Sequence, residues 1–191
     1  MILPRTIRAL RFTLALLTTI TAPAALAEGV AADKSEIRFV ANQLGVNVEG
    51  RFKRFKANVN FRPNTLQSSK AEFEIDLSSV DLASEDSERE VKGPMWFDAR
   101  RFPAARFAST SFRDLGGGKY QMAGKLSIKG ITRDVTLPFT ITRDNAGNRV
   151  AESTFNLKRL EFKVGEGEWG DPDTIADNVV VRVRMVLTPD A

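Results

Sequence analysis

The chain has 191 residues, 42% of them hydrophobic, and contains neither cysteine nor histidine. Those absences exclude a disulfide framework, Ser-His-Asp and Cys-His nucleophilic sites, histidine-held zinc and histidine-ligated haem. The formal net charge of +4 includes Arg5, Arg8 and Arg11, which sit in a 27-residue leader without an acidic residue; beyond it 25 Lys and Arg face 24 Asp and Glu, a net charge of +1 that gives no electrostatic footprint for nucleic acid.

The leader reads as a signal peptide. Its three arginines precede an apolar run from Phe12 to Ile20 interrupted by threonines, and Ala25-Leu26-Ala27 supplies a small-residue cleavage signal before Glu28. The run is shorter than the roughly 20 apolar residues a membrane span needs. The sequence therefore predicts a cleaved signal peptide over 1–27 and a single exported domain over 28–191: a soluble protein of the periplasm, or one released outside the cell, and not an integral membrane protein.

Strand periodicity starts with Ile37, Phe39 and Ala41 alternating with Glu36, Arg38 and Val40. A longer strand is predicted from Val46 to Phe61, where Phe55, Ala57, Val59 and Phe61 share one parity and Phe52 falls on the other; such a slip calls for a bulge or bend near Lys53-Arg54. The third strand sets Ala71, Phe73, Ile75 and Leu77 against Lys70, Glu72, Glu74 and Asp76. Between Ser84 and Lys92 the alternation stops, and a Ser84 N-cap followed by acidic residues, with Gly93-Pro94 as terminator, predicts a short helix.

Strand patterns resume over Arg106 to Leu115, Lys119 to Lys129, on to Thr142, and Arg149 to about Lys158, with glycine-rich turns between them. Within this run Leu126 and Ile128, then Val135, Leu137, Phe139 and Ile141, form a hairpin with one buried face, its connection predicted as a four-residue polar turn near Gly130. A glycine-rich acidic loop covers Val164 to Asp177. Val179, Val181, Val183, Met185 and Leu187 then form the last strand. Eight strands, mostly hairpin-linked and without a βαβ rhythm, predict an all-β fold with one helical insertion, as an antiparallel barrel or sandwich. A barrel has the advantage of removing edges, and one of this size holds a single small ligand.

The run Leu126-Ser127-Ile128-Lys129-Gly130-Ile131-Thr132 continuing to Val135-Thr136-Leu137-Pro138 resembles the signature hairpin of the YceI-like family. So do Gly50-Arg51-Phe52 with Phe55, Trp96-Phe97-Asp98 with Phe102-Pro103, and Lys158-Arg159 with Phe162 and Gly165. The resemblance extends over roughly Asp33 to Leu187. It implies an eight-stranded antiparallel lipocalin-like barrel around an apolar tunnel for a polyisoprenoid or other long-chain lipid, of polyprenyl phosphate or quinone type, without a cofactor or catalytic group. It also implies a possible homodimer. The chain departs from the family at Lys34-Ser35-Glu36, at Glu161 and at Pro94-Met95-Trp96.

Thirteen phenylalanines supply material for such a tunnel or for a solid core. Strand parity nominates Phe39, Phe55, Phe73, Ile75, Phe107, Phe139, Ile141 and Phe155 as lining, and Met95, Trp96 and Phe97 as a lid or structural plug. For a head group, Arg51, Lys53, Arg54 and Arg159 are the candidate cations, with solvated surface charge as the alternative. The interleaved run Arg51 to Lys56 is read as an amphipathic strand, not a nucleic-acid platform. Glu166, Glu168, Asp171, Asp173 and Asp177 offer oxygen ligands for calcium or a glycosidase pair, but in no recognised spacing. A filled barrel with an exposed Met95-Trp96-Phe97 patch would instead indicate a partner-binding accessory of a membrane quinone or cytochrome system.

Overall fold

The computed structural model describes residues 29–188, so the predicted signal peptide lies outside the described residues. In chain order the strands are β1 (Gly29–Val30), β2 (Glu36–Gln43), β3 (Val46–Phe52), β4 (Phe55–Asn60), β5 (Lys70–Asp76), β6 (Val80–Asp81), β7 (Ala104–Gly116), β8 (Lys119–Ile128), β9 (Ile131–Arg143), β10 (Arg149–Lys158) and β11 (Asn178–Thr188). The helix α1 (Glu85–Val91) enters between β6 and β7. All strands join one 11-stranded sheet in the order β4-β5-β7-β8-β9-β10-β11-β2-β3-β6, with β1 on β11. Every pairing is antiparallel.

The sheet curls into a barrel whose two ends are linked by the chain itself, β3 and β4 being one stretch bent at Lys53-Arg54. β3 pairs with β2 at one end of the order and β4 pairs with β5 at the other. Where the ladder breaks, side partners take over its backbone groups: Lys53 N donates to Ser79 O at 3.0 Å, Arg54 N to Ser79 Oγ at 3.0 Å, and Asp76 N to Arg54 O at 3.1 Å. The bend brings Phe52 and Phe55, of opposite parity, both against the interior. The eight predicted strands thus become 11 by division of the second and by addition of the two-residue β1 and β6, which are too short to show a period.

One turn differs from its sequence reading. Ile128 pairs with Ile131, so the β8–β9 connection is the two residues Lys129-Gly130, both at positive φ (48° and 76°), not a four-residue turn. That backbone is the hairpin geometry whose twist matches the flanking strands. The helix follows its signals: Ser84 Oγ accepts from Ser87 N at 3.1 Å, and Gly93 N closes the C-terminus on Glu90 O at 2.8 Å.

The core falls into two halves. The upper half, nearer the Lys129-Gly130 turn, gathers Leu77, Ala105, Phe107, Leu126, Ile128, Leu137, Phe162 and Val164. The lower half gathers Ile37, Val59, Phe61, Ala71, Phe139, Met185 and Leu187. Aromatic rings fill the lower half: Phe61 lies 4.9 Å from Tyr120, 5.3 Å from Phe139 and 5.8 Å from Phe112 between ring centroids. In β8, Gly124 lets β7 approach: a Cβ there would stand 2.6 Å from the Ala108 carbonyl oxygen and 2.5 Å from Phe107 Cζ. Backbone cannot yield as a flexible side chain can, so Gly124→Ala is expected to cost about 1–3 kcal/mol, read as a lower urea midpoint at unchanged slope.

Candidate functional site: an apolar cavity in the upper half of the barrel

A cavity of about 200 Å³ occupies the upper barrel. Strand side chains form its wall: Ile37, Phe39 and Ala41 from β2, Phe73 and Ile75 from β5, Phe107 from β7, Met122, Leu126 and Ile128 from β8, Leu137 from β9, Phe155 and Leu157 from β10, and Val179, Val181 and Val183 from β11. Val91, Trp96, Phe97, Phe162, Val164 and Ile175 close it from segments outside the strands. Apart from Arg38, Ser153 and Arg159 the lining residues are apolar. Such a space favours a hydrocarbon guest over water, which needs polar partners to stay. A second hollow of about 40 Å³ lies below it, between Phe61, Phe112, Phe139, Ile141 and Met185.

Two covering segments, 91–103 and 159–177, are fastened together. Gly165 N and Glu166 N both donate to Met95 O, at 2.9 and 2.8 Å. Trp96 and Trp169 lie 5.8 Å apart between ring centroids, and Trp169 Nε1 donates to Glu90 Oε1 at 3.1 Å. The β8–β9 turn joins them through Lys129, whose ammonium donates to Lys163 O at 2.7 Å and to Glu166 Oε2 at 3.0 Å. Trp96 Nε1 is buried with no hydrogen-bond partner, a state that costs roughly 1–3 kcal/mol.

Arg159 organises the lower face of this cover. Its residue is only 2% exposed, and its guanidinium lies 5.7 Å from the Trp96 ring centroid. Nε donates to Ala176 O, Nη1 to Val164 O and Gly165 O, and Nη2 to Trp169 O and Ile175 O, over 2.6–3.2 Å. A guanidinium has five N–H groups, so every one is engaged. Burial pushes its pKa down and Asp177 pulls it back up. The expected surface cation is therefore a buried clasp for an irregular loop, with no donor left for a head group.

The remaining predicted cations lie at the bend of the long strand. Arg51 Nε and Lys53 Nζ both hold Asp81, each at 2.7 Å, and Arg54 Nε donates to Asp76 at 2.9 Å. Hydrogen bonds from Lys53 and then Arg51 keep the Asp81 carboxyl below the usual range. The Ser78 hydroxyl and then Arg54 do the same for Asp76, against an opposing effect of burial. None of the three cations lines the cavity.

Among the nominated lining residues, Phe39, Phe73, Ile75, Trp96, Phe97, Phe107 and Phe155 meet around the main cavity. Phe139 and Ile141 line the small lower hollow instead, Phe55 packs in the lower core, and Met95 is 49% exposed on the cover. Strand parity gives the inward face and not the height along the barrel, which explains that division. Parity extended to β11 would have found Val179, Val181 and Val183; Phe162, Val164 and Ile175 sit on irregular chain, where no period marks them. An exposed Met95-Trp96-Phe97 patch does not form, because Trp96 and Phe97 face the cavity. In the acidic loop Glu166 pairs with Lys129, Asp171 accepts from Asp173 N, and Asp177 accepts from Leu160 N. Among the described residues no group of three or more carboxylates is placed to hold a metal ion.

A barrel of this topology around an apolar chamber defines a lipocalin-like binding fold, and comparison with known proteins places it more closely. The model of the YceI-like domain matches residues 29–187, and the chain belongs to that family. BcnA of Burkholderia cenocepacia is similar in structure, with 37% identity and a TM-score of 0.79 over 83% of this chain and 99% of that one. A polyisoprenoid binding domain from Saccharophagus degradans shares the fold at 16% identity, with a TM-score of 0.69 over 86% of this chain and 99% of that domain. A UPF0312 protein of Shewanella denitrificans is 33% identical over 104 residues, 54% of each chain. The match thus spans about half the length of that curated relative.

Proposed function

We propose that the protein is a non-enzymatic, periplasmic binding and carrier protein for an isoprenoid lipid, of prenyl alcohol, polyprenyl phosphate or quinone type, seated in the upper cavity. The observation that carries this reading is the cavity itself: about 200 Å³ inside the barrel, walled almost wholly by apolar side chains. The leader supports it, as does the shared fold of the polyisoprenoid binding domain from Saccharophagus degradans.

Apolar burial supplies the driving force, and it exceeds the association cost where that cost falls in the lower part of its range. A buried methylene contributes roughly 0.8 kcal/mol, so about ten carbons bring roughly 8 kcal/mol against association costs of about 4–15 kcal/mol. An apolar cavity of about 150 Å³ accommodates a benzene-sized guest, so the present space takes the leading part of a prenyl chain.

Both tryptophans of the chain, Trp96 and Trp169, belong to the cover, so intrinsic fluorescence reports on the site. Titration with a prenyl quinone is expected to quench that emission saturably at one equivalent. Unsaturable, linear quenching that is matched by free tryptophan would reject the reading.

A further inference from the structure

The two hollows are neighbours separated by a thin wall. Phe73 of β5, Met122 of β8, Ser153 of β10 and Val183 of β11 line both the cavity of about 200 Å³ and the hollow of about 40 Å³. Below the wall the ring cluster of Phe61, Phe112, Tyr120 and Phe139 fills the barrel. A chain threaded from the upper cavity therefore meets a floor partway along the barrel.

We propose that Met122 is the length-determining residue of this floor, and that the protein selects ligands whose buried apolar part is only a few isoprene units long. This inference rests on the isoprenoid reading above and sharpens its substrate class. The members of the wall are not equivalent. Ser153 is anchored, its hydroxyl donating to Pro138 O at 2.6 Å, and Val183 is a short branched side chain on β11. Phe73 is braced by Phe107, 6.2 Å away between ring centroids. Met122, between Phe112 of β7 and Leu137 of β9, is the long unbranched member. Such a thioether fills an irregular gap, and truncation opens it without displacing a branched or aromatic neighbour. Met122→Ala joins the two hollows and lowers the floor toward Phe139.

The test compares geraniol, farnesol and geranylgeraniol binding to the full mature chain, followed by tryptophan emission. For the native protein, affinity is expected to rise from geraniol to farnesol and then to change less than threefold on the further isoprene unit. In Met122→Ala the same unit is expected to strengthen binding at least tenfold, while Met122→Leu, which keeps the bulk, keeps the plateau. Should Met122→Ala fail to fold, Val183→Ala thins the same wall from β11 and is expected to give a smaller gain of the same sign, above the native threefold. A native protein whose affinity still climbs tenfold at the third alcohol, or folded wall variants with an unchanged plateau, overturns the length-setting role and leaves isoprenoid binding intact. Failure of all three alcohols to bind native and variant proteins overturns both.

Discussion

Replacing Arg159 by Met is expected to lower stability by roughly 4 kcal/mol, an effect well above that of an ordinary substitution. Met keeps much of the apolar stem but removes five donors at once, leaving the carbonyls of Val164, Gly165, Trp169, Ile175 and Ala176 without the partner they share. Each hydrogen bond to a charged group contributes about 1.5–3 kcal/mol, and a buried carbonyl left unpaired costs about 1–3 kcal/mol. The sum is limited because the loop relaxes outward and recovers water. For a domain of this size the shift corresponds to about 8–16 °C in Tm. Arg159→Lys is expected to recover less than half, since an ammonium has three donors and no planar fork. Thermal unfolding measures the total, and amide exchange over residues 159–177 localises it. A Met variant within about 2 °C of the native Tm contradicts the clasp.

The second large effect is on binding. Val181 faces the cavity from the middle of β11, between Phe39 of β2 and Phe155 of β10 in register. In Val181→Trp the indole projects into space that is empty, not into packed core, so the usual strain of overpacking is largely avoided. Tm is expected to stay within a few degrees. Affinity for a prenyl quinone, however, is expected to fall at least 100-fold, or about 2.7 kcal/mol, because the displaced hydrocarbon has nowhere else to go. Isothermal titration beside a thermal melt separates the outcomes: a stable variant that binds as tightly as the native protein would place the ligand elsewhere.

The fold was largely readable because its period-2 signal is clear where one face of a strand is wet. The parity clash between Phe52 and Phe55 marked the bend that closes the barrel, and Ser84 with Gly93-Pro94 marked the helix. What escaped was whatever lacks a period. Arg159 looked like a surface cation because its five carbonyl partners lie up to 17 residues along an irregular loop, where sequence carries no trace of a convergent backbone. The lining was half readable for a related reason. Phe39 and Phe139 both point inward by parity, yet one borders the upper cavity and the other the lower hollow. Height along a barrel depends on register and shear, which are settled by pairing across strands.

What the purified protein carries decides whether the upper barrel is a binding chamber or an imperfectly filled core. The experiment is native mass spectrometry of protein purified from its own host without detergent, with organic extraction of the same sample. A binding chamber gives a discrete mass excess near one equivalent, released by solvent and identified as a prenyl lipid, and absent from Val181→Trp. A native protein that carries no adduct and takes up none when offered prenyl alcohols and quinones would contradict it.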